Sequence, residues 1–272
     1  MHGLPAPNWA RHLIFAWPRL GPQVKVLPEV AIYDLANQPT TYDFVAWICI
    51  VKTLGAKRVH FMSSDQIETW KYPAGVAWRR FANIILPLCD MMLPWSIGEK
   101  KPGFTVGYHI GQAEALYEEK GFIEKIPLIP GDDGYVTITI RESIRNKHRD
   151  SNRPEWDKFA SWLERNGERV VFIEDGETRD YLISLEKRMQ LYSNARMNFG
   201  VNTGPMWLCA FSEAPYTIIN MAPEEISAQH LANGCFPPGS QFSFANINQR
   251  ILWEPDTCEN LIRSYAQDKM AA

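Results

Sequence analysis

Between Arg141 and Arg153 the chain carries five basic side chains, Arg141, Arg145, Lys147, Arg149 and Arg153, against two acidic ones, Glu142 and Asp150. The whole protein of 272 residues has a formal net charge of -3, so this loop is where an anion would be drawn. Arginine can grip a phosphate with two parallel N–H donors, whereas lysine offers a point charge. A solvated charged loop is the plain alternative. Position favours a site, because Arg141 directly leaves residues 135–140, a run rich in β-branched side chains that reads as a buried strand.

A second candidate is the turn Asn202-Thr203-Gly204-Pro205. It joins an apolar run at 197–201 to an apolar helical segment at 206–212, and a further apolar run follows at 216–221. A short turn between a buried strand and a helix aims unpaired N–H groups at one spot, at the positive end of the helix dipole, which suits a phosphate. Thr203 or Gly204 can cap the helix, and Pro205 fits its first position, where no N–H is needed. A capped helix with no ligand satisfies the same pattern.

Four further groups have chemistry to offer. Glu174 and Asp175 close the strand-like run 169–173, where an acid can accept hydrogen bonds from ribose hydroxyls or cap the next helix. Arg188 lies on a helical pattern, either facing solvent or reaching a diphosphate from the helix side. Asp34 ends a short strand, and Asp43 sits in the first turn of the next helix. Either carboxylate could deprotonate a hydroxyl nucleophile, although an acid in a first turn also serves the helix dipole. His60 and His109 fall in strand patterns, as core residues or as acid–base groups.

Missing signatures narrow the field. The chain has no GxGxxG fingerprint, no GxxxxGK[ST] loop and no GxSxG elbow. Cys49, Cys89, Cys209, Cys235 and Cys258 are odd in number and far apart, with no zinc spacing, and read as reduced core residues. No paired acids carry metal-ligand company, so no divalent metal is implied.

The elements that must position these groups follow from periodicity. Strands are expected at 30–33, 57–62, 104–109, 135–140, 169–173, 197–201, 216–221 and 249–253. Helices are expected from Thr40 and Thr41 to Gly55, at 75–85 bounded by Pro87, and at 112–120. Others begin at Pro154 and end at Asn166-Gly167, run through Leu182, Leu185, Met189 and Tyr192, and start at Asp256 as cap. Residues 1–28 read as an irregular lead-in.

The turn-rich stretch 127–134 is the expected boundary between an N-terminal domain, residues 1–130, and a C-terminal domain, residues 131–272. The order is α/β: two Rossmann-like domains with parallel sheets flanked by helices. In such sheets ligands bind outside the carboxyl ends of the strands, where the loop after Ile140, the Glu174-Asp175 corner and the Asn202 turn converge. Apolar residues make up 46% of the chain and charged ones 22%, the profile of a globular protein with no global bias toward nucleic acid. The sequence shows no signal-peptide pattern and no membrane-span pattern, so the expected setting is cytoplasmic.

Residues 135–221 resemble the donor-binding half of GT-B glycosyltransferases, most closely the heptosyltransferase-like group. That group carries a turn D-T-G-x-x-H-x-A-A followed by P-x-V. Here the stretch reads Asn202-Thr203-Gly204-Pro205-Met206-Trp207-Leu208-Cys209-Ala210, with Ala214-Pro215-Tyr216 after it. Asn202 replaces the acidic residue, and Trp207 stands where the histidine would fall. The resemblance implies that Asn202, Thr203, Gly204 and Pro205 hold the diphosphate of a nucleotide sugar. Arg141 and Lys147 correspond to that group's basic donor-loop residues, and the expected donor site also takes in Arg145, Asn146, Glu174, Asp175 and Arg188, with Asp43 or Asp34 as base.

The implied activity is metal-independent transfer of a sugar to a hydroxyl acceptor, a glycan or a small molecule, in glycan or polysaccharide biosynthesis. No cofactor is implied beyond the nucleotide sugar as substrate. Peripheral contact with the inner membrane face would suit surface-glycan assembly. Two alternatives keep the fold: a nucleotide-sugar 2-epimerase, for which His109 and Glu174 are candidates, and a non-catalytic nucleotide- or sugar-phosphate-binding protein.

Overall fold

The computed structural model describes residues 29–62, 67, 72–99, 101–107, 110–143, 147–175, 183–221 and 239–271. The lead-in at 1–28, Arg145, Asn146, His109, Leu182 and Cys235 lie outside the described residues.

The first half runs β1 (Val30–Asp34), α1 (Asp43–Thr53), β2 (Arg58–Met62), α2 (Ala74–Arg80), a π turn (Phe81–Ile85), α3 (Leu86–Met92), β3 (Trp95–Gly98) and α4 (Ile110–Lys120). β1, β2 and β3 pair in parallel in that order. Helix α1 is buried at every position from Phe44 to Val51, as an apolar helix must be when it has neighbours all round. It packs on α3 and α4 and, across the molecule, on α7 (Met206–Ala210).

Three expectations change in this half. Of the strand expected at 104–109, the described residues 104–107 keep a single bridge, with Ile32 N donating to Phe104 O at 2.7 Å and Phe104 N to Val30 O at 3.1 Å. The approach is close enough that a Cβ on Gly103 would lie 2.6 Å from the Val30 carbonyl oxygen. Pro87 does not bound the helix. The chain widens into the π turn just before it, and Pro87 then sits in the first turn of α3, where a missing N–H costs little. Strand β3 is an addition to the expected elements, because its four residues are too few to show a period.

The second half runs β4 (Tyr135–Arg141), a 3₁₀ turn (Lys147–Arg149), α5 (Arg153–Arg165), β5 (Arg169–Asp175), α6 (Leu185–Asn194), β6 (Ala195–Val201), α7, β7 (Tyr216–Ile219), β8 (Gln249–Ile251) and α8 (Cys258–Ala271). All five strands are parallel, in the order β5-β4-β6-β7-β8. Helices cover both faces of β4, which is why residues 135–140 are all buried. Val136, Ile138 and Ile140 face Trp156, Phe159 and Leu163 of α5 and Leu261 and Tyr265 of α8. On the opposite face, Thr139 meets the Tyr192 hydroxyl of α6 at 2.9 Å.

Asp256 does not cap α8. Its buried Oδ2 accepts from Asn152 N at 2.8 Å and from the Trp156 indole at 2.7 Å, so it anchors the start of α5 instead. Residues 121–134 carry neither helix nor strand and lie along the second half, with Ile126 N donating to Phe211 O and Gly131 N to Asn194 Oδ1. One apolar cluster runs from Ala31 and Trp47 through Ile126 to Leu208 and Ile251, joining the two sheets through buried side chains. Among the described residues no helix is long and apolar enough to cross a membrane.

Candidate functional site

Numbered within the second half, the strand order is 2-1-3-4-5, which reverses direction between β4 and β6. Open parallel sheets bind ligands at such a switch point, outside the carboxyl ends of the strands. The groups available there leave β4 after Arg141 and β6 after Val201, with Asp175 at the end of β5 on the far side of β4.

The basic loop folds back on itself. Arg141 N donates to Ser151 Oγ at 2.9 Å and Ser151 N to Arg141 O at 3.0 Å, which closes the loop at its base. Asp150 accepts from Ser143 N at 2.8 Å and lies 3.6 Å from Arg141 Nε. The 3₁₀ turn then turns Lys147 out to solvent and Arg149 inward, where its Nη2 donates to the Asn202 carbonyl at 2.8 Å. Burial, and then the like charge of Arg141, push the Arg149 guanidinium down to about 10, while Asp43 and Asp150 pull the other way. A cation held under that pressure is stabilised by any anion that arrives beside it. Arg153 is under no such pressure, since it binds Asp157 at 2.8 Å and Glu174 at 3.0 Å.

The acidic corner thus divides. Glu174 is paired with Arg153, whereas Asp175 is buried and accepts the hydroxyl of Thr203. Asn202 Nδ2 donates to Met221 O at 2.7 Å, tying the turn to the end of β7. The N–H groups of Met206, Trp207 and Leu208 bond to the carbonyls of Thr203, Gly204 and Pro205 at 3.0–3.1 Å. Helix α7 spans only Met206–Ala210, shorter than the expected 206–212. Gly204 lies against the ring of Tyr42, and Pro205 is buried. The first N–H groups of α7 are thus bonded within the turn, and a side chain from the first half lies over Gly204.

Arg188 does not face solvent. It is 0% exposed, beside Tyr42, Tyr192 and Asp175. Burial works against its charge, the Asp175 carboxylate works for it, and the guanidinium stays protonated.

The two candidate bases separate. Asp34 is absorbed in its own turn, accepting from Ala36 N at 3.0 Å and Asn37 Nδ2 at 2.6 Å. Asp43, at the start of α1, accepts from Thr41 Oγ1 at 2.7 Å and acts on Arg149 across the seam between the halves. His60 is buried between Ser96 Oγ at 2.9 Å and the Glu99 carbonyl at 2.8 Å, which occupies both ring nitrogens. Among the described residues no three of His, Cys, Asp or Glu come together as a metal ion would require.

Three residues of the site are not singled out by the sequence: Arg149, Tyr42 and Arg80. Arg149 is one of five basic residues, with nothing in the pattern to say which turns inward. Tyr42 meets a turn more than 150 residues away, which no local signal reveals. Arg80 ends α2 and donates to the Thr40 carbonyl at 3.0 Å, steadying the approach to Asp43. Its guanidinium lies 4.6 Å from the Tyr72 ring centroid and 6.0 Å from that of Tyr42.

No family model and no curated protein matches this chain. Solved structures do. The dodecameric iron-containing heptosyltransferase TibC in complex with ADP-D-beta-D-heptose is similar with a TM-score of 0.52 and 14% identity, over 92% of this chain and 78% of that one. A second structure of the iron-containing glycosyltransferase TibC, from enterotoxigenic E. coli H10407, gives a TM-score of 0.46 and 15% identity over 81% of this chain, which spans 62% of its length. E. coli heptosyltransferase WaaC with ADP gives a TM-score of 0.44 and 10% identity, over 89% of this chain and 98% of that one. The likeness to the first of these structures is one of fold: parallel sheets flanked by helices, as in GT-B proteins.

Proposed function

We propose that this protein is a GT-B-type glycosyltransferase that moves a sugar from a nucleotide-diphosphate donor to a hydroxyl acceptor. The observation that carries the reading is the place of Arg149. It is anchored on the Asn202 carbonyl at the switch point, crowded by Arg141, and faced by Asp43 from the first half. A cation pair at the strand ends supports a diphosphate site there, and the Asp43 carboxylate across the seam supports an acceptor beside it.

In the proposed reaction the acceptor oxygen bonds to the anomeric carbon as the bond from that carbon to the diphosphate breaks. Asp43 takes the acceptor proton, and Arg141 and Arg149 offset the charge that builds on the departing diphosphate. Removing one such electrostatic group costs about 10²–10³ in kcat in enzymes of known mechanism. Neither a cofactor nor a metal has a part in this scheme. We place the activity in glycan or polysaccharide assembly in the cytoplasm, with membrane contact peripheral if present. The ligand of the TibC complex makes ADP-heptose the first donor to try.

The test is release of nucleoside diphosphate from ADP-heptose and other nucleotide sugars, in wild type and Asp43→Asn. Release that falls at least about 100-fold in Asp43→Asn, with nucleotide binding retained, supports the reading. Equal release in both removes Asp43 from the mechanism.

A second reading is a non-catalytic nucleotide-binding protein. The Tyr42 ring over Gly204 favours it, because it covers the turn that the resemblance assigns to the diphosphate. Binding without turnover, for any acceptor mixture, would select this reading.

A further inference from the structure

Among the described residues none of the three guanidinium nitrogens of Arg188 makes a hydrogen bond of ordinary geometry, although the side chain is completely buried and the Tyr192 hydroxyl lies within reach. A buried cation is normally paired, because nothing else returns its lost hydration. The polar groups around it are shared with other partners. Asp175 accepts the Thr203 hydroxyl. The Tyr192 hydroxyl is near enough to favour the charge, but it is shared with Thr139 Oγ1. Tyr42 is kept neutral, since burial raises its phenol pKa. No acceptor in the cluster is held by Arg188 alone.

Tyr42 comes from the first half of the chain and fills the space over the turn. A Cβ on Gly204 would lie 2.6 Å from Tyr42 Cδ2 and 3.0 Å from its Cβ, so the ring rests on bare backbone. Tyr42 stands at the N-cap of α1 and makes no capping hydrogen bond through its side chain, so its ring can leave without undoing a cap. Arg80 lies on the outer side of the same ring, 6.0 Å from its centroid. A cation thus borders the space that Tyr42 now fills.

We propose that Arg188 forms an occluded anion site that takes one phosphoryl group of the nucleotide diphosphate, and that Tyr42 is the plug that fills the site until the ligand displaces it. This rests on the crevice being a nucleotide-diphosphate site. It adds that part of the grip lies beneath the turn, behind a side chain of the other half. Binding would then be coupled to a shift of the start of α1, which also carries Asp43.

The test titrates inorganic pyrophosphate calorimetrically into the full chain as wild type, Tyr42→Ala, Arg188→Gln and the double variant. A plug that holds about nine-tenths of the molecules closed lowers the apparent affinity about tenfold, so Tyr42→Ala should bind about tenfold tighter. Arg188→Gln in the Tyr42→Ala background should remove that gain. Equal, weaker or no binding by folded Tyr42→Ala overturns the plug, and a gain that survives Arg188→Gln overturns the anion site. Should Tyr42→Ala fail to fold, Tyr42→Leu is read in the same way.

Hydrogen exchange on the wild type tests the same plug independently. The amides of Phe44 and Val45, bonded to the carbonyls of Thr41 and Tyr42 at 3.1 and 3.0 Å, should exchange faster when pyrophosphate is present. Unchanged or slower exchange overturns the plug. If no nucleotide sugar is turned over while the pyrophosphate gain stands, the glycosyltransferase reading fails and this site survives. If nucleotide sugars are turned over while neither Tyr42 nor Arg188 affects pyrophosphate binding, the site fails and the glycosyltransferase reading survives.

Discussion

The hydroxyl of Thr203 donates to the buried carboxylate of Asp175 and so ties the end of β6 to the end of β5 across the strand between them. This bond frames the crevice, because the strand it spans is β4, which ends at Arg141. Thr203→Val keeps the shape and leaves the carboxylate without its donor, which should cost about 1–3 kcal/mol in urea unfolding. Thr203→Ser should recover most of that loss. If Thr203→Val is as stable as wild type, the bond does not hold the crevice.

Arg149 and Lys147 share one 3₁₀ turn but have different surroundings, one turned inward on Asn202 and the other in solvent. Arg149→Lys keeps the charge and loses the planar fork, so it should weaken nucleoside-diphosphate binding by about tenfold, near 1.4 kcal/mol. Lys147→Ala should change affinity by less than about twofold at physiological salt. Competition binding with a fluorescent nucleotide compares the two, and an equal loss from both would show that the loop acts only through its net charge.

Asp256 joins the start of α5 to the segment before α8, because its Oδ2 accepts from both Asn152 N and the Trp156 indole. Asp256→Ala strands both donors and should destabilise the second half by about 1–3 kcal/mol. The fluorescence of Trp156 should shift along with the loss. A stability change within about 0.5 kcal/mol, the usual effect of a surface substitution, would contradict the assignment.

Glu114 supplies the pH dependence. Burial raises its carboxyl pKa, against the opposing hydrogen bond from Ser243 N at 3.2 Å. A pKa raised on folding means that the folded state binds the proton more tightly. Its contribution to stability is full below the unfolded pKa of about 4.3 and is lost as the pH rises through the folded value. Wild type should therefore lose stability relative to Glu114→Gln as the pH climbs from about 4 toward neutrality. A difference that is flat with pH, or that grows, would contradict the burial.

Much of the architecture is legible because β4 and β6 are nearly continuous buried runs and α5 buries a single apolar face. Residues 135–140 and the Trp156, Phe159, Ala160, Leu163 face fall where periodicity puts them. What escapes is short or non-local. β3 has four residues, and the pairing at Phe104 reduces to one bridge held by the close approach of Gly103. Pro87 reads as a stop because sequence rules do not anticipate a π turn that lets a helix continue.

The site is legible as a neighbourhood and obscure in detail. The strand ends place Arg141, Asp175 and Thr203 together, but composition cannot show that Asp175 faces Thr203 while Glu174 faces Arg153. Nor can it show Tyr42 over Gly204, since that contact depends on how the two halves pack. Asp34 and Asp43 look alike in sequence, and only their partners distinguish them: a private turn for one, the seam and Arg149 for the other.

The most direct measurement is a thermal-shift titration of the full chain with ADP, UDP and GDP and their sugar derivatives, run in parallel on Arg149→Ala. A ligand at 100 times its Kd stabilises the native state by about 2.7 kcal/mol, which for a chain of this size raises Tm by about 5 °C or more. Such a rise is expected with one nucleotide series, led by the nucleotide sugar, and is expected to be lost in Arg149→Ala. No rise with any nucleotide, or a rise that Arg149→Ala leaves unchanged, would contradict a nucleotide-diphosphate site at the β4–β6 crevice.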